Sequence, residues 1–110
     1  MTTNFTVTIS PAAKDDLDTI RAYLVARHSI GAADKLIDTI SAALEGLETF
    51  PYRGVVPKEL DALGEQDFRQ LNLGPYRLIY YVADRAVSVT LIVDGRRDLP
   101  ELLARRLLAR

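Results

Sequence analysis

The chain is expected to adopt an α+β fold in the order β-α-α-β-β-β-α. An antiparallel-rich four-stranded sheet carries an N-terminal helical hairpin on one face and ends in a short C-terminal helix. Three observations predict this. Residues 5–9 alternate apolar and polar side chains, residues 11–49 place apolar side chains at three- and four-residue steps, and residues 68–93 return to a period of two. A strand, two helices and then a run of strands is the order of helices segregated to one face of a sheet. The 110 residues, 48% hydrophobic and 26% charged, suit a single domain with one core over residues 1–110.

Each element has its own signal. Phe5, Val7 and Ile9 alternate with Thr6, Thr8 and Ser10, the period of a half-buried strand of β-forming residues. That strand stops at Ser10-Pro11, where a serine hydroxyl caps free backbone N–H groups and proline fits the first helical position. Ala13, Leu17, Ile20 and Leu24 then form the stripe of a helix running to about Arg27, with Asp15, Asp16 and Asp18 early in it, as the helix dipole favours. The stretch His28-Ser29-Ile30-Gly31 breaks the rhythm. It resumes from Ala32, with Ala33, Leu36, Ile37, Ile40, Leu44 and Leu47 marking a second helix that ends before Phe50-Pro51. So short a link predicts an antiparallel helical hairpin.

Residues 51–66, PYRGVVPKELDALGEQ, read as a connection with one short helical turn around Lys58–Leu63. Phe68, Leu71 and Leu73 then open the strand region, followed by YRLIYYV at 76–82 and VSVTLIV at 87–93. The last two runs predict a hairpin closed by a four-residue loop, Ala83-Asp84-Arg85-Ala86. Strict alternation puts Val87, Val89, Leu91 and Val93 on one face, the one the helix pair is expected to cover. The final helix begins near Leu99-Pro100, and Leu99, Leu102, Leu103, Leu107 and Leu108 form its stripe. It either docks on the body of the protein or presents the arginines before it.

Charge and composition narrow the function. The net charge of −1 argues against an avid nonspecific nucleic-acid binder. Residues 95–110, GRRDLPELLARRLLAR, nevertheless hold five basic and two acidic side chains, so any acidic partner is expected there. There is no cysteine, no run of 18 apolar residues and no signal-like start, and a cytoplasmic location is expected. No cofactor or metal is expected either: Asp15-Asp16 and Glu65-Asp67 lack a third ligand, and the glycines are scattered singly. Tyr76, Tyr80 and Tyr81 lie in a strand, where packing competes with base stacking as their role. His28 is expected on the surface at a helix end, where a protonated imidazole suits the dipole.

The words SPAAKDDL, FPYRG, GPYRLIYYV and VDGRRDLPELL, in this order and spacing, resemble the RelE/ParE toxin superfamily of bacterial toxin–antitoxin modules over nearly the whole chain. Two segments carry the resemblance: Gly74-Pro75-Tyr76-Arg77-Leu78-Ile79-Tyr80, and the basic word Gly95-Arg96-Arg97-Asp98. The resemblance implies one of two targets, since RelE-like members cut messenger RNA on the ribosome and ParE-like members inhibit DNA gyrase. Fold alone does not choose between them.

Cleavage at a 2′-hydroxyl needs a base, an acid and cations for the phosphate. Carried over from the nuclease branch, Arg77 and Arg97 match its two arginines, and Arg69 is the one cation on the strand expected to carry paired lysines. Glu101, Leu102 and Leu103 stand where a tyrosine or histidine is expected. Arginine stays protonated and makes a poor base. A nuclease would therefore rest on Arg77, Arg97 and Glu101, whereas the ParE-like reading makes Arg69, Arg77, Arg96 and Arg97 contacts to the target and requires no chemistry. From the residues alone, Arg77 pairs with a carboxylate or faces a partner, and Asp98 is placed to hold one of the arginines beside it.

The resemblance also implies a ParD-like antitoxin, in a hetero-oligomer of heterotetramer size or larger, whose C-terminal segment wraps the toxin. An amphipathic partner helix would dock beside the helical hairpin, with Tyr23, Val25 and Ile30 as the exposed anchors. A member that only binds its antitoxin and regulates transcription with it is a third reading.

Overall fold

The computed structural model describes residues 4–61, 67–96 and 99–108. In chain order the elements are β1 (Thr6–Ile9), α1 (Pro11–Arg27), α2 (Ile30–Thr49), a single turn α3 (Lys58–Asp61), β2 (Phe68–Leu73), β3 (Tyr76–Ala83), β4 (Ala86–Asp94) and α4 (Leu99–Leu108). The strands form one mixed sheet in the order β1-β4-β3-β2, with β1 parallel to β4 and the other two pairings antiparallel. The α+β class and the element order agree with the sequence.

Both helix starts are capped by serine. Ser10 Oγ accepts from the Ala13 N–H at 3.1 Å, and Ser29 Oγ accepts from the Ala32 N–H at 2.9 Å. The second cap shortens the expected link: α2 begins at Ile30, and only His28 and Ser29 separate the helices. Ala33, Leu36, Ile40, Ala43 and Leu47 of α2 are buried, whereas α1 buries only Ala13 and leaves Leu17, Ile20 and Leu24 half-covered. Burying a leucine or isoleucine of this kind stabilises by about 1.5–3 kcal/mol, so α2 holds the layer and α1 is the less covered helix.

The strand hairpins turn more tightly than expected. Ala83 pairs directly with Ala86, so the β3–β4 loop is only Asp84-Arg85, both with positive φ (53° and 62°). Two left-handed residues give the turn a twist that matches the strands. In the β2–β3 turn Leu73 pairs with Tyr76, and Gly74 supplies the positive φ of 63°. Gly54, in the connection after α2, is required for a different reason: an added Cβ would lie 2.6 Å from the Gln70 carbonyl oxygen and 2.7 Å from the Tyr80 hydroxyl. Its N–H donates to that buried hydroxyl at 3.0 Å, which seats the connection against the sheet.

Strict alternation fails on β4. Ile79 pairs with Leu91 but Tyr80 pairs with Val89, so Thr90 is an extra residue, a β-bulge whose hydroxyl donates to the Ile79 carbonyl at 3.1 Å. Val87 and Val89 face the helical hairpin as expected, but Leu91 and Val93 face the opposite side, and Ile92 replaces them in the core beneath α1 and α2. The sheet therefore has two apolar faces. Leu78, Tyr80, Val82, Val87, Val89 and Ile92 meet the hairpin, while Phe68, Ile79, Leu91 and Val93 meet Leu60 of α3 and Leu99 and Leu103 of α4. The C-terminal helix is thus docked, the first of the two arrangements open to it.

Candidate functional site

The site is built on an unfinished sheet edge. β1 pairs with β4 only from Ala86 to Val89, so among the described residues the rest of β4 has no strand on its outer side. Backbone groups there need partners. Two side chains stand in for the missing strand: Asp16 Oδ2 of α1 accepts from the Ile92 N–H at 3.0 Å, and Arg106 Nη1 of α4 donates to the Thr90 carbonyl at 3.0 Å. The two are joined by a fork of 2.8 and 3.0 Å, and the Asp16 carboxylate raises the guanidinium's pKa above its ordinary value. One ion pair ties α1, β4 and α4 together.

Next to this pair a groove of about 590 Å³ runs along the edge, lined by Ile20, Tyr23, Tyr76, Ile92, Leu102 and Arg106, and it reaches Asp94 and Arg96. A second depression of about 480 Å³, between the helical hairpin and the Gly74-Pro75 turn, shares Tyr23, Tyr76 and Arg96 with it. The half-covered stripe of α1 forms one wall of the groove, the docked α4 the other. Burial pushes the Tyr76 phenol upward in pKa, reinforced by the Asp94 carboxylate.

The basic word is only partly within view, since Arg97 and Asp98 lie outside the described residues. The Arg96 side chain is 87% exposed and is held by Asp94: its N–H and Nε donate to Oδ1 at 2.9 and 3.1 Å, and Nη2 to Oδ2 at 2.9 Å. Such an exposed pair stabilises little, about 0–1 kcal/mol, but it aims the guanidinium along the groove rim. Glu101 is exposed in the first turn of α4.

Arg77 takes the carboxylate-pairing role. Its Nη1 and Nη2 donate to the Glu59 oxygens at 2.9 and 3.0 Å, its Nε donates to Gln70 Oε1 at 3.0 Å, and Nη2 also contacts Gln70 Oε1. Both side chains of the ion pair are only 12% exposed. Burial opposes ionisation of Glu59, but the Arg77 guanidinium outweighs it and holds the carboxyl below its ordinary value. Arg69 is likewise engaged, donating to the carbonyls of Gly54 at 2.9 Å and Tyr52 at 3.3 Å.

Tyr23, Val25 and Ile30 are all exposed, as the antitoxin reading requires. Only Tyr23 lines the groove and the second depression; Val25 and Ile30 line neither. Sequence reasoning missed Asp16, Glu59, Asp94 and Arg106. Asp94 has a local signal, two residues before Arg96, but the others find their partners across 18 to 90 residues. Of the tyrosines, Tyr80 is wholly buried and Tyr81 packs on Phe68 with ring centroids 4.9 Å apart. Among the described residues no group of acidic or histidine side chains could hold a metal ion, and no helix is long and apolar enough to cross a membrane.

Comparisons with known proteins agree with this architecture. Residues 7–99 match the family model of the ParE toxin of the type II toxin–antitoxin system parDE. The fold is similar to a structure of the chromosomal ParDE system from P. aeruginosa, at a TM-score of 0.68 and 18% identity over 84% of this chain and 98% of that one. It is also similar to the RelBE2 toxin–antitoxin complex from Mycobacterium tuberculosis, at a TM-score of 0.57 and 19% identity over 88% of this chain and 98% of that one. No curated protein matches the chain. With the family model covering most of its length, the chain belongs to the ParE toxin family of type II toxin–antitoxin systems.

Proposed function

We propose that the protein inhibits DNA gyrase by binding it, in the cytoplasm, and is neutralised by a ParD-like antitoxin in a hetero-oligomer. The observation that carries this reading is the state of Arg77. A nuclease would need that guanidinium to hold the scissile phosphate, yet it is nearly buried and bound to Glu59 and Gln70. A phosphate would have to displace a carboxylate already seated on the same donors. Arg96, in contrast, is exposed and held in place at the groove rim, and with Arg97 it forms the proposed target contact.

The antitoxin reading is supported by the groove itself. Two solved structures of similar fold come from toxin–antitoxin systems. The groove offers Ile20, Tyr23, Tyr76 and Leu102 to an apolar partner segment, with the exposed guanidinium of the Arg96–Asp94 pair at one end. Val25 and Ile30 would extend that contact around the hairpin.

One experiment separates the three readings. Purified toxin is added to a gyrase supercoiling reaction and to a translating ribosome extract. Loss of supercoiling with intact messages is the expected result. Fresh message cleavage overturns it in favour of a ribosome-dependent endoribonuclease, and inertness in both assays favours a co-repressor that only binds its antitoxin. Arg97→Ala is expected to abolish toxicity while sparing antitoxin binding; persistent toxicity would make the basic word structural.

A further inference from the structure

At the β3–β4 turn, far along the sheet from Arg96, four side chains from four separate segments form a row in which two adjoining rings are flanked by a guanidinium at each end. Arg85 of the turn lies over the Phe5 ring at 5.7 Å, Phe5 meets Tyr52 edge-on at 6.3 Å and 84°, and Arg69 of β2 lies over Tyr52 at 5.2 Å. Phe50, Tyr52 and Val55, at the end of α2 and in the connection after it, are 66%, 57% and 61% exposed. Three large apolar side chains exposed within six residues mark an interaction surface more than a random surface does.

The backbone adds an independent observation. Arg85 holds a left-handed conformation (φ 62°) that glycine adopts freely and arginine adopts at a cost of order 1 kcal/mol. A glycine would avoid that cost, so Arg85→Gly removes the side chain without harming the turn. Cation–ring contact with a half-exposed Phe5 stabilises by only about 0.5–1 kcal/mol.

Charge decides what the surface fits. Arg77, Arg96 and Arg106 each have a carboxylate partner, whereas among the described residues Arg53, Arg69 and Arg85 at this corner, like Arg21, Arg27 and Arg105 elsewhere, have none. The Arg53 guanidinium lies over Gly46 of α2 and shares with Arg69 the surroundings of the Tyr80 hydroxyl, which places all three cations at this corner. The two rings stand edge to face and each already carries a guanidinium on a face, so they offer no flat platform for nucleobases. A guanidinium stacked on a ring still presents its N–H edge to a carboxylate. Phenylalanine, tyrosine and arginine together are also the composition of protein-interface cores.

We propose that this corner, centred on Arg85, Phe5 and Tyr52 and flanked by Phe50 and Val55, is a second protein-contact surface that takes an acidic, apolar-containing segment of a protein partner. It is separate from the groove between α1 and α4 and needs none of that groove's residues.

The test is a titration of the isotope-labelled full chain, followed by amide chemical shifts. The probes are a short peptide alternating glutamate and leucine, the same peptide with lysine in place of glutamate, and an oligothymidylate. The acidic peptide is expected to move the resonances of residues 5, 50, 52–55 and 85, and the other two are expected to leave them in place. Arg85→Gly should melt no lower than the parent yet bind the acidic peptide at least about tenfold more weakly, and Tyr52→Ala should also weaken binding. Equal movement with the oligothymidylate, movement confined to the Arg96 end, no movement at all, or undiminished binding by Arg85→Gly would each overturn the proposal.

Discussion

Asp16 is the residue whose replacement tests the largest part of this structure. Asp16→Ala removes the acceptor for the Ile92 N–H and the partner of the Arg106 guanidinium in one step. The orphaned backbone donor costs about 1–3 kcal/mol. The ion pair, with side chains 17% and 24% exposed, is partly screened and adds no more than about 1 kcal/mol. The expected loss is therefore about 1–4 kcal/mol, a fall in Tm of about 5–20 °C for a domain of this size. Asp16→Asn keeps an oxygen for Ile92 but loses both the charge and the second acceptor for Arg106, so its cost should be that of the ion pair, about 1 kcal/mol. Circular dichroism melts measure both, and amide hydrogen exchange across residues 99–106 reports whether α4 loosens. Asp16→Ala melting within about 2 °C of the parent, with α4 equally protected, would refute the view that this carboxylate joins α1, β4 and α4.

Three other outcomes follow from the same contacts. Glu59 has its pKa depressed below its ordinary 4.5 by Arg77, so protonation favours the unfolded chain. The pair's contribution is complete above about pH 4.5 and is lost as pH falls through the lower folded value; urea midpoints of the parent and Glu59→Gln should therefore converge below pH 4.5 and stay apart at pH 7. Tyr80→Phe leaves the buried Gly54 N–H without its acceptor and should cost about 1–3 kcal/mol by urea unfolding, while Gly54→Ala should cost more because its Cβ would meet the rigid Gln70 carbonyl. Arg96→Ala, at an exposed pair, should change stability by no more than about 0.5 kcal/mol in the same assay and yet reduce growth inhibition, which separates target contact from folding.

The site was legible in the sequence to different depths. Arg96 belonged to a local basic word, and Tyr23 projected from an amphipathic helix, so both could be placed on the surface without coordinates. Arg77 could not be assigned: a strand arginine next to Leu78 points from the sheet, but Glu59 reaches it from α3, 18 residues earlier, across a connection with no periodicity. The groove was less legible still. It exists because β1 is too short to cover β4, and because α4 packs close enough to α1 for Arg106 to reach Asp16 across 90 residues.

By itself, the amino-acid order determined the succession of elements, the first serine cap, the helical stripes of α1 and α2, and the words that resemble the ParE family. These are patterns over a few neighbouring residues, where backbone geometry and capping act directly. Tertiary structure alone decided which sheet face Leu91 and Val93 occupy, because one unpaired residue, Thr90, inverts every side chain after it. It also decided which arginines are spent on internal carboxylates and which remain at the surface. That choice depends on where distant segments meet, and no local period carries it.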